Sequence, residues 1–158
     1  MVTDTTKTIW VINGPNLNLL GEREPHLYGT RTLADINLEL SGSAEKHGFT
    51  LECYQSNHEG ELIDHVQAAR NTTGGLIINP GGYAHTSVAL RDAVAAYSHP
   101  VIEVHLSNIY KREEFRHHSY LSAVVSGVIC GLGADGYRLA LAKLMGHASG
   151  IVQLERFI

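Results

Sequence analysis

The chain has 158 residues, of which 44% are hydrophobic and 18% charged, a composition typical of a globular domain rather than a disordered or collagen-like protein. Its net charge of −4 offers no basic stripe for nucleic acid, so we expect no nucleic-acid partner, and an anionic ligand would need local basic residues. The apolar runs fall far short of the roughly 20 residues of a membrane span, so no membrane association is expected.

The N-terminal heptapeptide MVTDTTK is polar and lacks the apolar core of a secretory signal, so we interpret residues 1–7 as a flexible tail. Cys53 and Cys130 lie inside apolar runs, which favours buried thiols in a reducing compartment over a disulfide framework. Without a linker, a low-complexity tract or a repeat, the sequence predicts one domain over residues 1–158, located in the cytoplasm.

Five short apolar runs recur along the chain, each bounded by turn residues. They are rich in Ile, Val and Leu and mostly lack strict alternation, which is typical of parallel strands covered on both faces. The runs are TIWVIN (8–13), FTLECYQ (49–55), GLIINP (75–80), VIEVHLS (101–107) and GVICGLG (127–133).

Between these runs, apolar residues repeat at three- and four-residue steps, which predicts helices. The repeats are Leu33, Ile36, Leu40 and Ala44 after Thr32; Ile63, Val66 and Ala69 after HEGE; Leu90, Ala93, Val94 and Tyr97 after Thr86 and Ser87; and Tyr137, Leu141, Leu144 and Met145. This alternation predicts an open parallel α/β sheet with helices on both faces, and the chain is too short for an eight-fold barrel.

Polar residues follow most of the predicted strands. In open parallel sheets, ligands bind at the carboxyl edge, near the point where the strand order reverses. Asn and Gly are common there because they make turns, so one such motif alone is weak evidence. Four of the five ends are polar, however, and their coincidence indicates a ligand site: NGPN (13–16), QSNH (55–58), NPGG (79–82) and HLSN (105–108).

Glu103 and His105 alternate along the fourth predicted strand and therefore point to one face. A lone strand histidine is usually a hydrogen-bonded core residue, but an acidic neighbour can fix its tautomer and favour its protonated form, as a proton donor requires. Beyond this strand, Arg112 and Arg116 are four residues apart and would share a helix face. That pair suits either a solvated surface or a clamp for an anion.

The loop NGPNLNLLGEREPHLYG (13–29) combines turn residues with Arg23 and Tyr28 at its far end. A tyrosine in such a loop is usually a half-packed anchor, but a nearby cation favours its anion. Holding a phenol half-ionised at neutral pH takes roughly 4 kcal/mol, because phenols ordinarily titrate near ~10. One exposed arginine would not suffice, whereas two beneath a closing loop could. We therefore interpret residues 22–28 as a lid.

Other classes of site find less support. The first loop has neither GxGxxG nor a P-loop, which argues against a flavin or nucleotide module. The ends of the first and third strands carry Asn where a phosphoacceptor domain would need Asp, and the lysines lie in tails, helices or loops rather than at a Schiff-base position. His117 and His118 would diverge on a helix, so we expect neither a metal nor another cofactor.

Five long strings stand in the order NGPNLNLLGEREPHLYG, QSNHEGELID, INPGGYAHTSVALRDA, EVHLSNIYKREEFRHHSYLS and GLGADGYRLAL, between about Trp10 and Leu144. Together they closely resemble the type II 3-dehydroquinate dehydratases. The resemblance implies a flavodoxin-like fold with strand order 2-1-3-4-5 and reversible anti dehydration of 3-dehydroquinate to 3-dehydroshikimate without metal or imine. The reaction would serve aromatic biosynthesis through the shikimate pathway, or quinate breakdown. A small-anion-binding module of the same fold, without catalysis, is the alternative.

The resemblance also implies roles for particular residues. Tyr28 would remove the proton alpha to the ketone, while Arg23 and Arg112 would favour its anionic form. His105, oriented by Glu103, would protonate the departing hydroxyl. The other implied site residues are Asn16 for a water at the enolate, Asn79, Leu106 and Ser107 for the substrate carboxylate, and His85 and Arg116 for its ring hydroxyls.

Asp92 enters only through the resemblance. Similar proteins are dodecamers of four trimers, in which an aspartate matching Asp92 reaches a neighbouring subunit's site, so a homododecamer is implied. From the sequence alone, Asp92 would be a solvated helix residue next to Arg91. Two features depart from the pattern: Tyr110, where relatives often carry histidine, and residues 150–158, which the matching strings do not cover.

Overall fold

Five parallel strands form one sheet in the order β2-β1-β3-β4-β5 in the computed structural model, which describes residues 4–148. This order confirms the fold implied by the resemblance. The strands are β1 (Thr8–Asn13), β2 (Thr50–Gln55), β3 (Gly75–Asn79), β4 (Val101–His105) and β5 (Gly127–Cys130). Because β1 pairs with both β2 and β3, the strand order reverses beside it, and the carboxyl ends of β1 and β3 flank that point.

Within residues 4–148, five α-helices accompany the sheet: α1 (Pro25–Tyr28), α2 (Leu33–Lys46), α3 (Glu59–Ala69), α4 (Val88–Ala95) and α5 (Asp135–Ala148). The start of α2 is a capping box, because Thr32 Oγ1 accepts from the Asp35 amide at 3.1 Å and the Asp35 carboxylate accepts from the Thr32 amide at 3.0 Å. At α4, Ser87 Oγ accepts from the Leu90 amide at 2.9 Å. These caps fix helix starts close to those that the sequence predicted.

Both faces of the central strands are buried, as the runs of Ile, Val and Leu predicted. On β1, Ile9 and Val11 pack on the side of α2 and α5, whereas Trp10 and Ile12 pack on the side of α3 and α4. The edge strands β2 and β5 are only partly buried. Cys53 and Cys130 lie on these edges, so each thiol is free but only partly buried, rather than fully buried as predicted.

Two segments differ from the sequence prediction. Arg112 and Arg116 share no helix face, because their segment forms two short 3-10 helices, Ile109–Lys111 and Glu114–Arg116, with extended backbone at Arg112. Asn108 favours the first turn by accepting a hydrogen bond from the Tyr110 amide at 3.1 Å. Within the predicted tail, Thr5–Lys7 form a 3-10 turn. Residues 1–3 and the C-terminal 150–158 lie outside the described residues.

No helix within residues 4–148 is long and apolar enough to cross a membrane.

Candidate active site

The loops that follow β1, β2 and β3 are joined at the carboxyl edge of the sheet. The Gly14 amide donates to the Asn79 carbonyl at 2.8 Å, and the Asn16 amide donates to Asn57 Oδ1 at 3.0 Å. A Cβ on Gly14 would lie 2.4 Å from the Pro80 carbonyl oxygen, so only glycine permits this approach of the two loops. The turn residues at the strand ends therefore hold the site together.

Ten of the twelve predicted site residues line one cleft above this edge. Its volume of about 130 Å³ is well below the several hundred Å³ of drug-sized sites, which suits a small ligand. The ten are Asn16, Arg23, Tyr28, Asn79, His85, His105, Leu106, Ser107, Arg112 and Arg116. The other two, Glu103 and Asp92, lie outside the cleft wall.

Tyr28 reaches the cleft from the last position of α1. Pro25 begins this short helix, and Gly29 ends it at a φ of +82°, where a side chain would be strained. Arg112 Nη1 donates to the Tyr28 hydroxyl oxygen at 2.7 Å, and the Arg112 side chain is only 11% exposed. A permanently charged, partly desolvated donor on the phenol oxygen stabilises the phenolate more than water would.

Arg23 contacts Tyr28 differently. Its guanidinium carbon lies 5.8 Å from the centre of the Tyr28 ring, and the side chain is 42% exposed. Arg23 Nη2 forms an ion pair with Glu24 at 3.2 Å, and residues 4–148 show no hydrogen bond from Arg23 to the phenol oxygen. Of the two arginines that sequence reasoning joined to Tyr28, Arg112 is therefore the direct partner.

Glu103 holds the imidazole of His105, as their alternation on β4 predicted. His105 Nε2 lies 2.7 Å from Glu103 Oε1, and Glu103 is completely buried. Burial by itself raises the pKa of the Glu103 carboxyl, but hydrogen bonds from His105, Ser119 and Ser122 outweigh this effect, so its pKa lies below the ordinary value. An ionised Glu103 accepts the Nε2 proton, which leaves Nδ1 to exchange protons with a ligand.

Two serines complete the surroundings of Glu103. Ser119 Oγ donates to Oε1 at 2.5 Å, and Ser122 Oγ donates to Oε2 at 2.7 Å. Sequence reasoning missed both, although they lie in the string HSYLS that carries the resemblance. The only available signal was their spacing of three after a basic segment, which is weak because most serines are solvated.

His85 presents a ring nitrogen that can accept a hydrogen bond from a ligand in the cleft. Its Nδ1 lies 2.8 Å from the His118 carbonyl oxygen, which can only accept, so Nδ1 carries the proton and Nε2 a lone pair. Burial is the main reason that the pKa of His85 lies below its ordinary value; the His118 carbonyl opposes the shift, and the charges of His105 and Arg116 add to it. His85 is therefore neutral at pH 7.

Asn79 is fixed by a buried chain of hydrogen bonds. Its Oδ1 accepts from the Gly81 amide at 3.2 Å, and its Nδ2 donates to the Tyr137 hydroxyl at 2.8 Å. The Tyr137 hydroxyl in turn donates to Asn13 Oδ1 at 2.6 Å. Sequence reasoning counted Tyr137 only as an apolar helix residue and left Asn13 as a turn residue.

Asp92 lies on α4 with its side chain 65% exposed and ion-paired with Arg91 at 3.0 Å. It lines no part of its own subunit's cleft.

No lysine lines the cleft, and within residues 4–148 no three His, Cys, Asp or Glu side chains are grouped as a metal site.

Residues 7–145 match the model of the family described as Dehydroquinase class II. The chain belongs to this family. A 3-dehydroquinate dehydratase from Bordetella avium is 59% identical over 142 residues, which cover 89% of this chain and 99% of the relative. The catabolic 3-dehydroquinase 1 of Aspergillus terreus is 56% identical and covers 85% and 89% of the two chains.

The fold agrees with this membership. The crystal structure of the type II dehydroquinase from Propionibacterium acnes superimposes with a TM-score of 0.85 and 44% identity, covering 88% of this chain and 96% of that one.

Proposed function

We propose that this protein catalyses the reversible anti dehydration of 3-dehydroquinate to 3-dehydroshikimate through an enolate. The observation that carries the proposal is the convergence on one small cleft of a phenol bound by a partly buried arginine and a histidine bound by a buried glutamate. These two pairs are a base and an acid, as elimination of water beside a ketone requires. Membership in the dehydroquinase family supports the choice of substrate.

Tyr28 acts as the base in this proposal. Its phenolate takes the proton alpha to the ketone, and the electron pair of that C–H bond moves into the enolate. Arg112 donates a charged hydrogen bond to the phenol oxygen, and Arg23 adds positive charge over the ring. Asn16 holds a water that donates to the enolate oxygen, since a donor is worth most where charge develops.

His105 acts as the acid. The enolate expels the hydroxyl at the beta carbon, and the Nδ1 proton of the imidazolium joins it to form water. The imidazolium is stabilised by Glu103, whose ionised carboxylate is 2.7 Å from Nε2. The phenol then returns its proton through solvent, and the imidazole regains one, so no proton or charge is gained over the cycle.

The remaining cleft residues bind the substrate. Its carboxylate is bound by Asn79, the backbone of Leu106 and Ser107, and the Ser107 hydroxyl, which lies 3.4 Å from Arg112 Nη1. Neutral His85 accepts a hydrogen bond from a ring hydroxyl, and Arg116 contacts another. This set holds the substrate in a single orientation, which lets a weak base act on a moderately acidic proton.

Residues 22–28 form the lid that closes over the bound substrate. In closing, the lid excludes water from the contact between Tyr28 and its arginines, which strengthens the stabilisation of the phenolate. Glu24 binds Arg23 at 3.2 Å in this structure, so closure would exchange that exposed ion pair for contact with the substrate site.

Assembly completes the site in the same proposal. Asp92 is exposed and absent from its own cleft, which is consistent with a homododecamer in which it reaches a neighbouring subunit's substrate. The biosynthetic and catabolic roles use the same chemistry, and one relative is named as catabolic.

The proposal is tested by following the conjugated enone of the product in the ultraviolet after adding 3-dehydroquinate. We expect a rising absorbance that needs no added metal or nucleotide and survives borohydride, because no imine forms. Absence of the signal would favour a small-anion-binding module without catalysis.

A further inference from the structure

The buried hydrogen-bond chain between α5 and the cleft, formed by Tyr137, Asn13 and Asn79, has a definite direction. The Gly81 amide can only donate, and it lies 3.2 Å from the side-chain oxygen of Asn79. Asn79 must therefore turn its nitrogen toward Tyr137, whose hydroxyl accepts at 2.8 Å. The single Tyr137 proton is then committed to Asn13 Oδ1 at 2.6 Å.

The opposite orientation of these hydrogen bonds is excluded by the contact between Asn79 and Gly81. If Asn13 turned its nitrogen to Tyr137, the hydroxyl would donate to Asn79 Oδ1, and the Asn79 nitrogen would face the Gly81 amide, donor against donor. Asn13 instead leaves its own nitrogen buried without a partner among residues 4–148. The network thus tolerates one buried amide nitrogen without a partner, a costly feature, to keep the orientation of Asn79.

The orientation matters because Asn79 lines the cleft. A primary amide carries two N–H groups, and only one of them reaches Tyr137. The second has no partner among the described residues, and the oxygen is already used by Gly81. Asn79 can therefore offer the cleft an unpaired N–H donor.

We propose that Tyr137 is a positioning residue that locks the Asn79 amide with its N–H toward the ligand, and thereby selects an anionic oxygen at this subsite. Tyr137 is suited to the task because it is fully buried and burial raises the pKa of its hydroxyl, so the hydroxyl stays protonated at neutral pH. The identity of that anion as the substrate carboxylate rests on the function proposed above.

Tyr137→Phe tests whether Tyr137 fixes the orientation of the Asn79 amide, and Tyr97→Phe is the matched control. Tyr97 is also buried, and its hydroxyl also makes one buried hydrogen bond, 2.8 Å from Thr73 Oγ1, but it packs on the other face of the sheet and lines no part of the cleft. Both variants lose a buried hydroxyl, so a purely structural role for Tyr137 would give them the same properties.

For Tyr137→Phe we expect a KM for 3-dehydroquinate and a Kd for quinate, measured by calorimetry, that rise roughly tenfold while kcat stays within about threefold, because an oriented hydrogen bond to a charged group is lost. Quinate is the probe because it keeps the carboxylate but lacks the ketone. Tyr97→Phe should leave all three values unchanged. Wild-type affinities in Tyr137→Phe, or equal losses in Tyr97→Phe, would overturn the proposal.

The side-chain amide of Asn79 gives a readout independent of turnover. In ¹⁵N-labelled wild-type protein, we expect the Asn79 side-chain proton that is bonded to Tyr137 to exchange with solvent far more slowly than the side-chain protons of the exposed Asn71, and Tyr137→Phe should abolish the difference. Equally fast exchange of Asn79 and Asn71 in the wild type would refute the lock even if the variant did not fold. Wild-type protein that shows this protection but no turnover would count against the proposed function alone.

Discussion

Arg112 and Tyr28 are 84 positions apart in sequence, yet the guanidinium Nη1 and the phenol oxygen meet at 2.7 Å. Arg112 comes from the segment after β4, and Tyr28 from the segment after β1, so the two loops meet over the carboxyl edge of the sheet. This one charged hydrogen bond joins the segment that carries Tyr28 to the carboxyl edge of the sheet.

Removal of that charge should impair turnover more than binding. For Arg112→Met we expect kcat to fall roughly 100-fold or more, because a preorganised donor to a developing or resident negative charge is lost. Arg138→Met is the control: Arg138 is exposed on α5 and paired with Asp135 at 3.2 Å. Unchanged kcat in Arg112→Met would contradict the role of this contact.

Ser119→Ala should remove one of the hydrogen bonds that stabilise the ionised carboxylate of Glu103, the partner of His105. The pKa of Glu103 lies below its ordinary value of 4.5, so its ionised form stabilises the fold above about pH 4.5, and this contribution is lost as the pH falls. Removing the Ser119 donor should lower the free energy of unfolding by about 1–3 kcal/mol at pH 7, and the difference from wild type should narrow at lower pH. Denaturant titrations from pH 3 to 8 measure the free energy of unfolding of both proteins, and Ser98→Ala, at an exposed position, is the control.

Gly14→Ala should destabilise the junction of the β1 and β3 loops. The added methyl would meet the Pro80 carbonyl at 2.4 Å, and backbone atoms cannot yield cheaply, so we expect a loss of about 1–3 kcal/mol or more. Gly42→Ala, in the interior of α2 with open space around its Cβ position, should instead stabilise by about 0.5–1 kcal/mol. Equal effects on the midpoint of thermal unfolding would argue against a close contact at Gly14.

Subunit mixing should reveal whether Asp92 acts on a neighbour. Asp92→Ala and Tyr28→Phe, each poorly active alone, should regain activity when co-refolded, because some clefts then combine an intact Tyr28 with an intact Asp92 from the next subunit. Light scattering of the wild type should give the mass of a dodecamer. A monomeric mass, or a mixture no more active than its components, would refute this arrangement.

The fold could be predicted from sequence largely because its signals are local. Runs of Ile, Val and Leu marked the strands, and Thr32 and Ser87 marked helix starts through their caps. One exception was the segment around Arg112 and Arg116, where Arg112 has extended backbone after one 3-10 turn and Arg116 ends the next. Charge spacing without an apolar stripe does not determine a helix, since it buries nothing.

The site was less accessible to prediction from the residues alone. Alternation on β4 was enough to pair Glu103 with His105, because a strand places alternate residues on one face. The contact between Arg112 and Tyr28 depends on how two distant loops meet, and it came from the family resemblance. Tyr137 was missed because its apolar ring explains its place in α5, and only the structure reveals what its hydroxyl contacts.

The central claim assigns proton removal to Tyr28 and departure of the hydroxyl to His105. It is tested most directly by incubating 3-dehydroquinate in deuterated water with Tyr28→Phe and with His105→Ala, and following deuterium at the alpha carbon by proton NMR. We expect His105→Ala to exchange the alpha proton without forming product, and Tyr28→Phe to bind substrate but show neither exchange nor product. Exchange or near-normal kcat in Tyr28→Phe, or loss of exchange in His105→Ala, would contradict the account.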